Sequence, residues 1–438
     1  MKNNRFAIIN IWLICIGLLL ASCKKDTDMG VSLNDIIIEA IPTEPVTFDI
    51  SGNVAWTIEV IQEEIWLTVS PLQGKGKERI TVEATENDDF TERIAFIVIS
   101  GEGMENDTIR VFQEPCLDIA EKIKDEIFKQ YCLNAFDHSP NDGRISAKEA
   151  LKAVDIIVKG MEISSLAGIE YFTNIRKLVF SANNVEEIDV SKNKVLRILD
   201  CSFNPITKID VSELSKLEDL HLHSTDIRSI DVSKNAELYL LTTSNSPITA
   251  LDVSENSALG MLLCNDNQLI SLDISKNTNL LMLQCGNNRL STINTSMNTN
   301  LRNLWCNNQT DGNGRKILNS IDVRNNKALQ SLSCSQNNIS SLNLTNSPEL
   351  RELRCDDNQL TALDLRINEE LEDLRCNNNN LTGSIDISYN KKLKFIDLQR
   401  NNLDSIYVWR GFDKDCTFSA DGKIKCYEKD ENTQWVVK

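Results

Sequence analysis

Apolar and polar residues alternate in short runs across residues 34–115. Apolar side chains recur at every second position in five segments, residues 46–50, 56–60, 79–83, 95–99 and 108–112. A period of two between glycine-rich and Asn-Asp turns is typical of half-buried β-strands, so this region predicts a β-sandwich. We expect Trp56 and Trp66 to lie in its core, because a tryptophan in a sandwich is more often core than sugar platform.

A second pattern repeats about every 21 residues over residues 175–406. The copy at 259–269 reads Leu-x-x-Leu-x-Cys-x-x-Asn-x-Leu, and eleven such copies follow one another. One step departs from the period, since 28 residues separate Cys306 from Cys334. Self-similarity at a fixed period is the signature of a solenoid, so we predict eleven turns of a leucine-rich-repeat β-solenoid.

One core position of the repeat holds seven cysteines, Cys201, Cys264, Cys285, Cys306, Cys334, Cys355 and Cys376. A disulfide ladder is the alternative to free thiols. Stacked parallel strands lie about 4.8 Å apart, which separates neighbouring Cβ atoms by more than the ~3.8 Å that a disulfide prefers. Other turns fill the same position with Phe180, Leu222, Thr243 and Leu398. We therefore predict buried free thiols that act as small apolar side chains.

Polar positions of the repeat predict its bends. An asparagine three residues after the cysteine, as at Asn267, is expected inside the bend, where its amide can satisfy backbone groups that would otherwise be buried and unpaired. Aspartates such as Asp273 suit the tight return turn of each copy.

The solenoid needs caps, because its terminal turns would otherwise expose core side chains. Helical periodicity over residues 118–131 and 147–158 predicts two helices at the N-terminal end, and residues 416–437 predict a hairpin at the C-terminal end.

The segment between the two predicted helices resembles an EF-hand or dockerin-type calcium loop, with Asp137, Asp142 and Glu149 as candidate ligands. Counting back from the loop glycine places His138 at the first ligand position and Pro140 at another. We therefore predict a degenerate loop without a cofactor, and calcium binding is the open alternative.

The first residues predict export. Basic residues precede an apolar run over residues 6–20, which is shorter than the ~20 residues that a membrane-spanning helix needs. The Leu-Ala-Ser-Cys sequence ending at Cys23 resembles the lipobox of bacterial lipoproteins, which implies cleavage before Cys23 and its lipidation. Acidic residues just after it resemble the surface-export signal of Bacteroidetes lipoproteins. We expect outer-membrane anchoring at the cell surface, with the periplasmic face as the alternative.

Motifs within the predicted sandwich resemble the BACON domain, an immunoglobulin-like module common in Bacteroidetes surface proteins. They comprise Trp-Leu-Thr-Val-Ser-Pro at residues 66–71, then Gly74, Gly76, Asn87, Arg93 and the closing segment 111–113. The resemblance implies an immunoglobulin-like sandwich, which we interpret as a spacer.

The 21-residue repeat with its cysteine position resembles the cysteine-ladder repeats of the internalin J type. That resemblance implies protein recognition or adhesion rather than catalysis. The predicted organisation is a signal peptide (1–22), lipidated tether (23–33), BACON-like sandwich (34–115), helical N-cap (116–174), leucine-rich repeats (175–406) and C-terminal cap (407–438).

Charge and the remaining cysteines narrow the picture. The net charge of −18 and pI near 4.8 argue against nucleic acid as a partner, because an acidic surface repels phosphate backbones. Cys116/Cys132 and Cys416/Cys426 are spaced like local pairs, and the sequence leaves open whether they are disulfides.

The candidate binding residues flank the core positions of the strands, on the predicted concave face. They are Leu240, Met261, Leu263, Met282 and Trp305, expected to form one exposed apolar patch, followed by Arg354 and Arg375. A contiguous exposed apolar patch marks an interaction site, and tryptophan and arginine dominate interface energetics. We predict a protein-binding surface there.

Catalysis and glycan binding are the rival hypotheses. Asp219, His221 and His223 share a face and are weak candidates for a zinc site. The sequence presents no Ser/His/Asp or Cys/His arrangement, so we predict a protein that is not an enzyme. A glycan-binding lipoprotein of a polysaccharide-uptake system is the alternative function, and it depends on the sandwich.

Overall fold

The computed structural model describes residues 28–138, 141–412, 417–418 and 424–438. The predicted lipidation site, Cys23, thus lies outside the described residues. The possible pair Cys416/Cys426 also lies outside them, because Cys416 is not described. The chain divides into two compact units, Met1–Leu117 and Asp118–Lys438. Across the described ranges, no helix has both the length and the apolar character needed to cross a bilayer.

The first unit contains two sheets. Its strands are β1 (Met29–Val31), β2 (Asp35–Ile38), β3 (Val46–Gly52), β4 (Ala55–Ile61), β5 (Leu67–Ser70), β6 (Gln73–Lys75), β7 (Glu78–Ala84), β8 (Arg93–Gly101) and β9 (Asp107–Gln113). One sheet has the order β1-β3-β7-β5 and the other β2-β9-β8-β4-β6, in which β2 and β9 are parallel. All five predicted strands are present, at β3, β4, β7, β8 and β9.

Both sheets contribute side chains to one core, because alternate residues of each strand point inward. Trp56 and Trp66 are only 2% and 6% exposed, which confirms their prediction as core residues. The indole of Trp56 donates to the carbonyl of Gly76 at 3.0 Å and lies against Gly74, where an added Cβ would be 2.3 Å from the ring.

The second unit begins with a 3₁₀-helix, Ile119–Lys122, and helix α1, Glu126–Phe136. The carboxylate of Asp125 caps α1 by accepting from two backbone amides of its first turn. The second predicted helix is wrong beyond its first turn, because α2 spans only Ala147–Ala150. The chain then forms strand β10, in which only the middle residue, Ile156, is buried. A segment of three residues is too short to distinguish the period of a strand from that of a helix.

Three-residue strands dominate the rest of this unit. They are β10 (Asp155–Ile157), β11 (Lys177–Val179), β12 (Ile198–Asp200), β13 (Asp219–His221), β14 (Leu240–Thr242), β15 (Met261–Leu263), β16 (Met282–Gln284), β17 (Asn303–Trp305), β18 (Ser331–Ser333), β19 (Glu352–Arg354) and β20 (Asp373–Arg375). The chain continues with β21 (Thr382–Asp386), β22 (Phe395–Asp397), β23 (Asn402–Val408), β24 (Thr417–Phe418), β25 (Ile424–Glu428) and β26 (Gln434–Val437). A further 3₁₀-helix spans Ile169–Tyr171.

These strands build a 14-stranded sheet in the order β10 to β20, β22, β25, β24. Neighbouring strands are parallel, except that β24 and β25 form an antiparallel hairpin. The solenoid prediction is confirmed, but the eleven turns were too few, because β10 adds a strand before them and β25 one after. The hairpin is also only part of the C-terminal cap, since β26 pairs with β23 in a separate sheet, β21-β23-β26.

Side-chain amides close most turns as predicted, and the hydroxyls of Thr225 and Ser246 take their place in two turns. The Asn267 amide donates to the carbonyls of Cys264 (3.0 Å) and Thr243 in the preceding turn (2.9 Å). The carboxylate of Asp273 accepts from the Ser275 amide at 2.9 Å in the return turn.

A second row of buried asparagines was not assigned a role from the sequence. Asn277 donates to the carbonyls of Val253 and Asn256, each at 2.9 Å. Equivalent amides tie other turns together, at Asn193, Asn235, Asn256, Asn298, Asn326, Asn368 and Asn390. These hydrogen bonds link consecutive turns through the return segments, outside the strands.

The long step of the repeat forms a loop outside the sheet. Thr310 and Lys316 form an antiparallel bridge within the insertion. Strands β17 and β18, which flank the insertion, still pair directly, with Asn303 opposite Ser331. The extra residues therefore leave the strand register unchanged.

Candidate binding surface

The first and third residues of each solenoid strand form a regular surface, here called the open face. The middle residue, such as Leu262 or Leu304, is fully buried, while its two neighbours remain partly exposed in most strands. A residue in the left-handed region follows each strand, two positions after the cysteine site, with φ between 52° and 58° from Ala182 to Arg400. The strands therefore stop at the same level, and their flanking side chains stand in columns.

The predicted apolar patch lies on the open face, with two corrections. Leu240, Met261 and Met282 are direct neighbours in the first column. Leu263 and Trp305 lie in the other column but are separated by Gln284, so the patch is interrupted. All except Trp305 are half-buried rather than exposed, because side chains one strand apart pack on each other.

Trp305 is the most exposed member of this set, at 38%. Its indole nitrogen donates to the Ser331 hydroxyl at 3.1 Å, and that hydroxyl donates to Glu352 at 2.8 Å. The ring is thus fixed at one edge while part of it faces solvent. Trp305 marks the boundary between the apolar patch and a polar region.

A groove of about 700 Å³ begins at Trp305 and crosses the last turns of the open face. Its lining residues are Trp305, Asn307, Ser333, Ser335, Gln336, Glu352, Arg354, Asp356, Arg375, Asn377 and Asp397. The structure thus brings three of the predicted residues, Trp305, Arg354 and Arg375, to one groove, whereas the aliphatic and methionine side chains lie beside it.

Both arginines of the groove are engaged by carboxylates of the first column. Arg354 lies 2.5 Å from Glu352 and 3.7 Å from Asp373. Arg375 forms two 3.2 Å bonds with Asp373 and stacks over the Phe395 ring at 4.5 Å. The hydrogen bond with Asp373 raises the pKa of Arg375. The positive charge of the two predicted arginines is therefore largely compensated.

Two further carboxylates of the groove accept hydrogen bonds from neutral donors. Asp356 accepts from the Ser335 hydroxyl at 2.6 Å, and Asp397 from the Gln399 amide at 3.2 Å. Burial raises the pKa of Asp397, and the charges of Glu428 and Asp356 raise it further. Neither was chosen as a binding residue from the sequence, although Asp356 belongs to the predicted concave face and Asp397 lies in the same column as Arg375.

Comparison with solved structures identifies the architecture. The functional domain of InlJ from Listeria monocytogenes, whose description includes a cysteine ladder, superposes with a TM-score of 0.62 at 25% identity, over 73% of this chain and 71% of that one. The internalin InlF of the same organism gives 0.60 at 20% identity, over 74% and 93%. The second unit has the leucine-rich-repeat fold.

Other comparisons concern shorter segments or sequence alone. The leucine-rich-repeat protein LIC12759 of Leptospira interrogans gives a TM-score of 0.54 at 21% identity, over 59% of this chain and 70% of that one. The family model described as the viral BACON domain matches residues 44–114, within the first unit. A sequence search against curated proteins finds no match.

The calcium-loop candidates at the start of the leucine-rich-repeat unit accept hydrogen bonds from nearby backbone amides. The Asp137 carboxylate, which is buried, accepts from the amides of Asp142 (3.1 Å) and Gly143 (2.8 Å). Glu149 accepts from the amide and hydroxyl of Ser146, forming the capping box of α2. The carboxylates thus stabilise the connection between the helices.

The zinc candidates do not converge on a metal position. Asp219 and His221 flank the core residue of β13, while the ring of His223 packs edge-on against Phe203, 4.8 Å between centroids. Burial raises the pKa of Asp219. In the described part of the chain, no three His, Cys, Asp or Glu side chains are grouped so that they could hold a metal ion.

The cysteine position of the leucine-rich repeat holds free thiols, as predicted. All seven are buried and none forms a disulfide. Burial raises the pKa of Cys264 to about 12, and a hydrogen bond with Cys376 together with burial raises that of Cys355. Cys132 is likewise a buried free thiol, so the pair Cys116/Cys132 is not a disulfide.

Proposed function

We propose that the leucine-rich-repeat unit binds a protein partner on its open face, with Trp305 at the centre of the contact, and that the chain is not an enzyme. The observation that carries the proposal is the position of Trp305, an exposed aromatic side chain between the apolar patch and the groove. Exposed tryptophan beside desolvated polar pairs is typical of interface hot spots. The buried thiols, with raised pKa values, are poor nucleophiles.

The structural relatives support a binding role through their fold. A parallel sheet that exposes two side-chain columns offers a broad surface, and its residues can vary without altering the core. The partner itself does not transfer from relatives, because one fold serves unrelated partners.

We propose that the first unit is an immunoglobulin-like spacer of the BACON type and that lipid on Cys23 anchors the chain to the outer membrane. The spacer role is supported by the buried positions of Trp56 and Trp66, which deprive the glycan-binding alternative of its expected platform. Replacing Cys23 with alanine should move the protein from the detergent phase to the aqueous phase. Unchanged partitioning would contradict the anchor.

The binding proposal is tested by capture on immobilised full-length protein, native or Trp305→Ala, from extracellular matrix and from the producer's own envelope. A protein held by the native form should lose about 2 kcal/mol of binding free energy with Trp305→Ala, roughly a thirtyfold rise in Kd. Equal capture by both forms would show that the open face around Trp305 is not the site.

Leu304→Ala is the matched control, because Leu304 is the fully buried neighbour of Trp305 on the same strand. It should cost about 2–5 kcal/mol of stability. Trp305→Ala should change stability by about 0.5 kcal/mol or less, as expected for an exposed side chain. Melting both variants therefore separates loss of binding from loss of folding.

A further inference from the structure

The groove carries an excess of negative charge that its arginines do not balance. Arg354 forms an ion pair with Glu352, and Arg375 forms one with Asp373. Asp356 and Asp397 remain, and they accept hydrogen bonds from the Ser335 hydroxyl and the Gln399 backbone amide. Within the described residues, neither forms an ion pair with a lysine or arginine of this chain.

A third carboxylate extends the negative region. Glu428 of β25 is paired in register with Asp397 of β22, so the two side chains lie on the same face. Burial raises the pKa of Asp397, and the charges of Glu428 and Asp356 raise it further, against the opposing charge of Arg375. Asp356 and Asp397 are half-buried, so water solvates their charges only in part, and a cation supplied from outside would stabilise them.

The dimensions of the groove suit an extended segment. From Trp305 on β17 to Asp397 on β22, the sheet order passes through β18, β19 and β20. Four strand spacings of about 4.8 Å give about 19 Å, which an extended chain of about six residues covers at ~3.3 Å each. An exposed indole at one end can receive a cationic or aliphatic side chain on its face.

We propose that the groove receives a basic segment of the protein partner, with lysine or arginine side chains bound at Asp356 and Asp397 and the segment beginning against Trp305. The proposal rests on the protein-binding function proposed above and specifies the chemistry of the partner. Charge complementarity selects this occupant: the groove is acidic, and the whole chain carries a net charge of −18.

A synthetic probe tests this chemistry directly. Fluorescence anisotropy is measured with a labelled ten-residue peptide of alternating lysine and serine, and with versions in which glutamate or glutamine replaces lysine. The full-length protein should bind the lysine peptide at least tenfold more tightly than the glutamine peptide and should not bind the glutamate peptide. Equal affinity for the lysine and glutamine peptides would overturn the proposal.

The double variant Asp356→Asn, Asp397→Asn should weaken binding of the lysine peptide at least tenfold. Asparagine retains the oxygen that accepts from Ser335 and Gln399, so the fold should be preserved, and a melting curve checks this. The charge-matched control Glu186→Gln, Glu255→Gln removes two exposed carboxylates outside the strands and should weaken binding less than twofold. Equal weakening by both pairs would mean that only net charge matters and would overturn the proposal.

The same variants, tested on a captured protein partner, separate the two proposals. If Trp305→Ala weakens partner binding while Asp356→Asn, Asp397→Asn leaves it unchanged, the protein-binding function stands and the basic-segment proposal fails. If Trp305→Ala also has no effect, the open face is not the binding site and both fail. We expect both changes to weaken partner binding. The loss of affinity caused by the double variant should be larger at low salt, where charge interactions are less screened.

Discussion

Thr243 places a hydroxyl in the cysteine position of the repeat, where the other turns hold apolar or thiol side chains. The residue is fully buried, and its Oγ1 atom has no hydrogen-bond partner in the described structure. An unpaired buried hydroxyl costs about 1–3 kcal/mol. Valine has the same shape without that group, so Thr243→Val should raise the free energy of unfolding by about 1–2 kcal/mol.

The assay is urea and thermal unfolding of the full-length protein, followed by far-ultraviolet circular dichroism. A gain of 1 kcal/mol corresponds to a rise of about 2–4 °C in Tm for a domain of some 150–250 residues, and to a smaller rise for the larger unit Asp118–Lys438. The reciprocal change in the same column, Cys285→Ser, introduces a buried hydroxyl and should destabilise by about 1–3 kcal/mol. The reasoning is refuted if Thr243→Val destabilises the protein, or if neither change alters stability.

Three further predictions concern thiols, amides and carboxylates. The seven ladder cysteines should react with a thiol reagent only after denaturation, and oxidation of three or more in a non-reducing assay would contradict the packing argument. Asn277→Ala should cost about 2–4 kcal/mol, because two buried carbonyls lose a donor, while the exposed Asn279→Ala should cost about 0.5 kcal/mol or less in the same urea titration. The side chains of Arg324 and Arg366 lower the pKa values of Asp322 and Asp364 to about 2, below their unfolded values. The stability from these contacts is therefore present above about pH 4 and lost as the pH falls toward 2; urea midpoints that rise on acidification would contradict it.

The repeat could be predicted from the sequence because its spacing reports packing directly. Leucine and cysteine, as at Leu262 and Cys264, recur at a fixed period because the equivalent residue of each turn must fill the same core position. The buried asparagines at 235, 256, 277 and 298 show the same period, so a signal for that row was present. It was missed because asparagine between polar neighbours is also typical of an exposed turn.

Strand β10 and the groove were harder to predict, for different physical reasons. Asp155–Ile157 is too short to show its period, and only pairing with β11 makes it a strand. The exposure of Met261 and Met282 depends on the packing between adjacent turns, which a pattern of residue types does not contain. The charge of the groove depends on which carboxylates Arg354 and Arg375 engage, and that is a property of side-chain geometry across strands.

The insertion between Cys306 and Cys334 shows how this architecture can diversify. Its extra residues form a loop bridged at Thr310 and Lys316, while Asn303 and Ser331 keep their pairing across it. Length can therefore change in the return segments without shifting any residue of the open face. Loop length and the residues of the open face can therefore evolve independently. A loop can lengthen or shorten to form one contact, while the side chains of the strand columns change to form another.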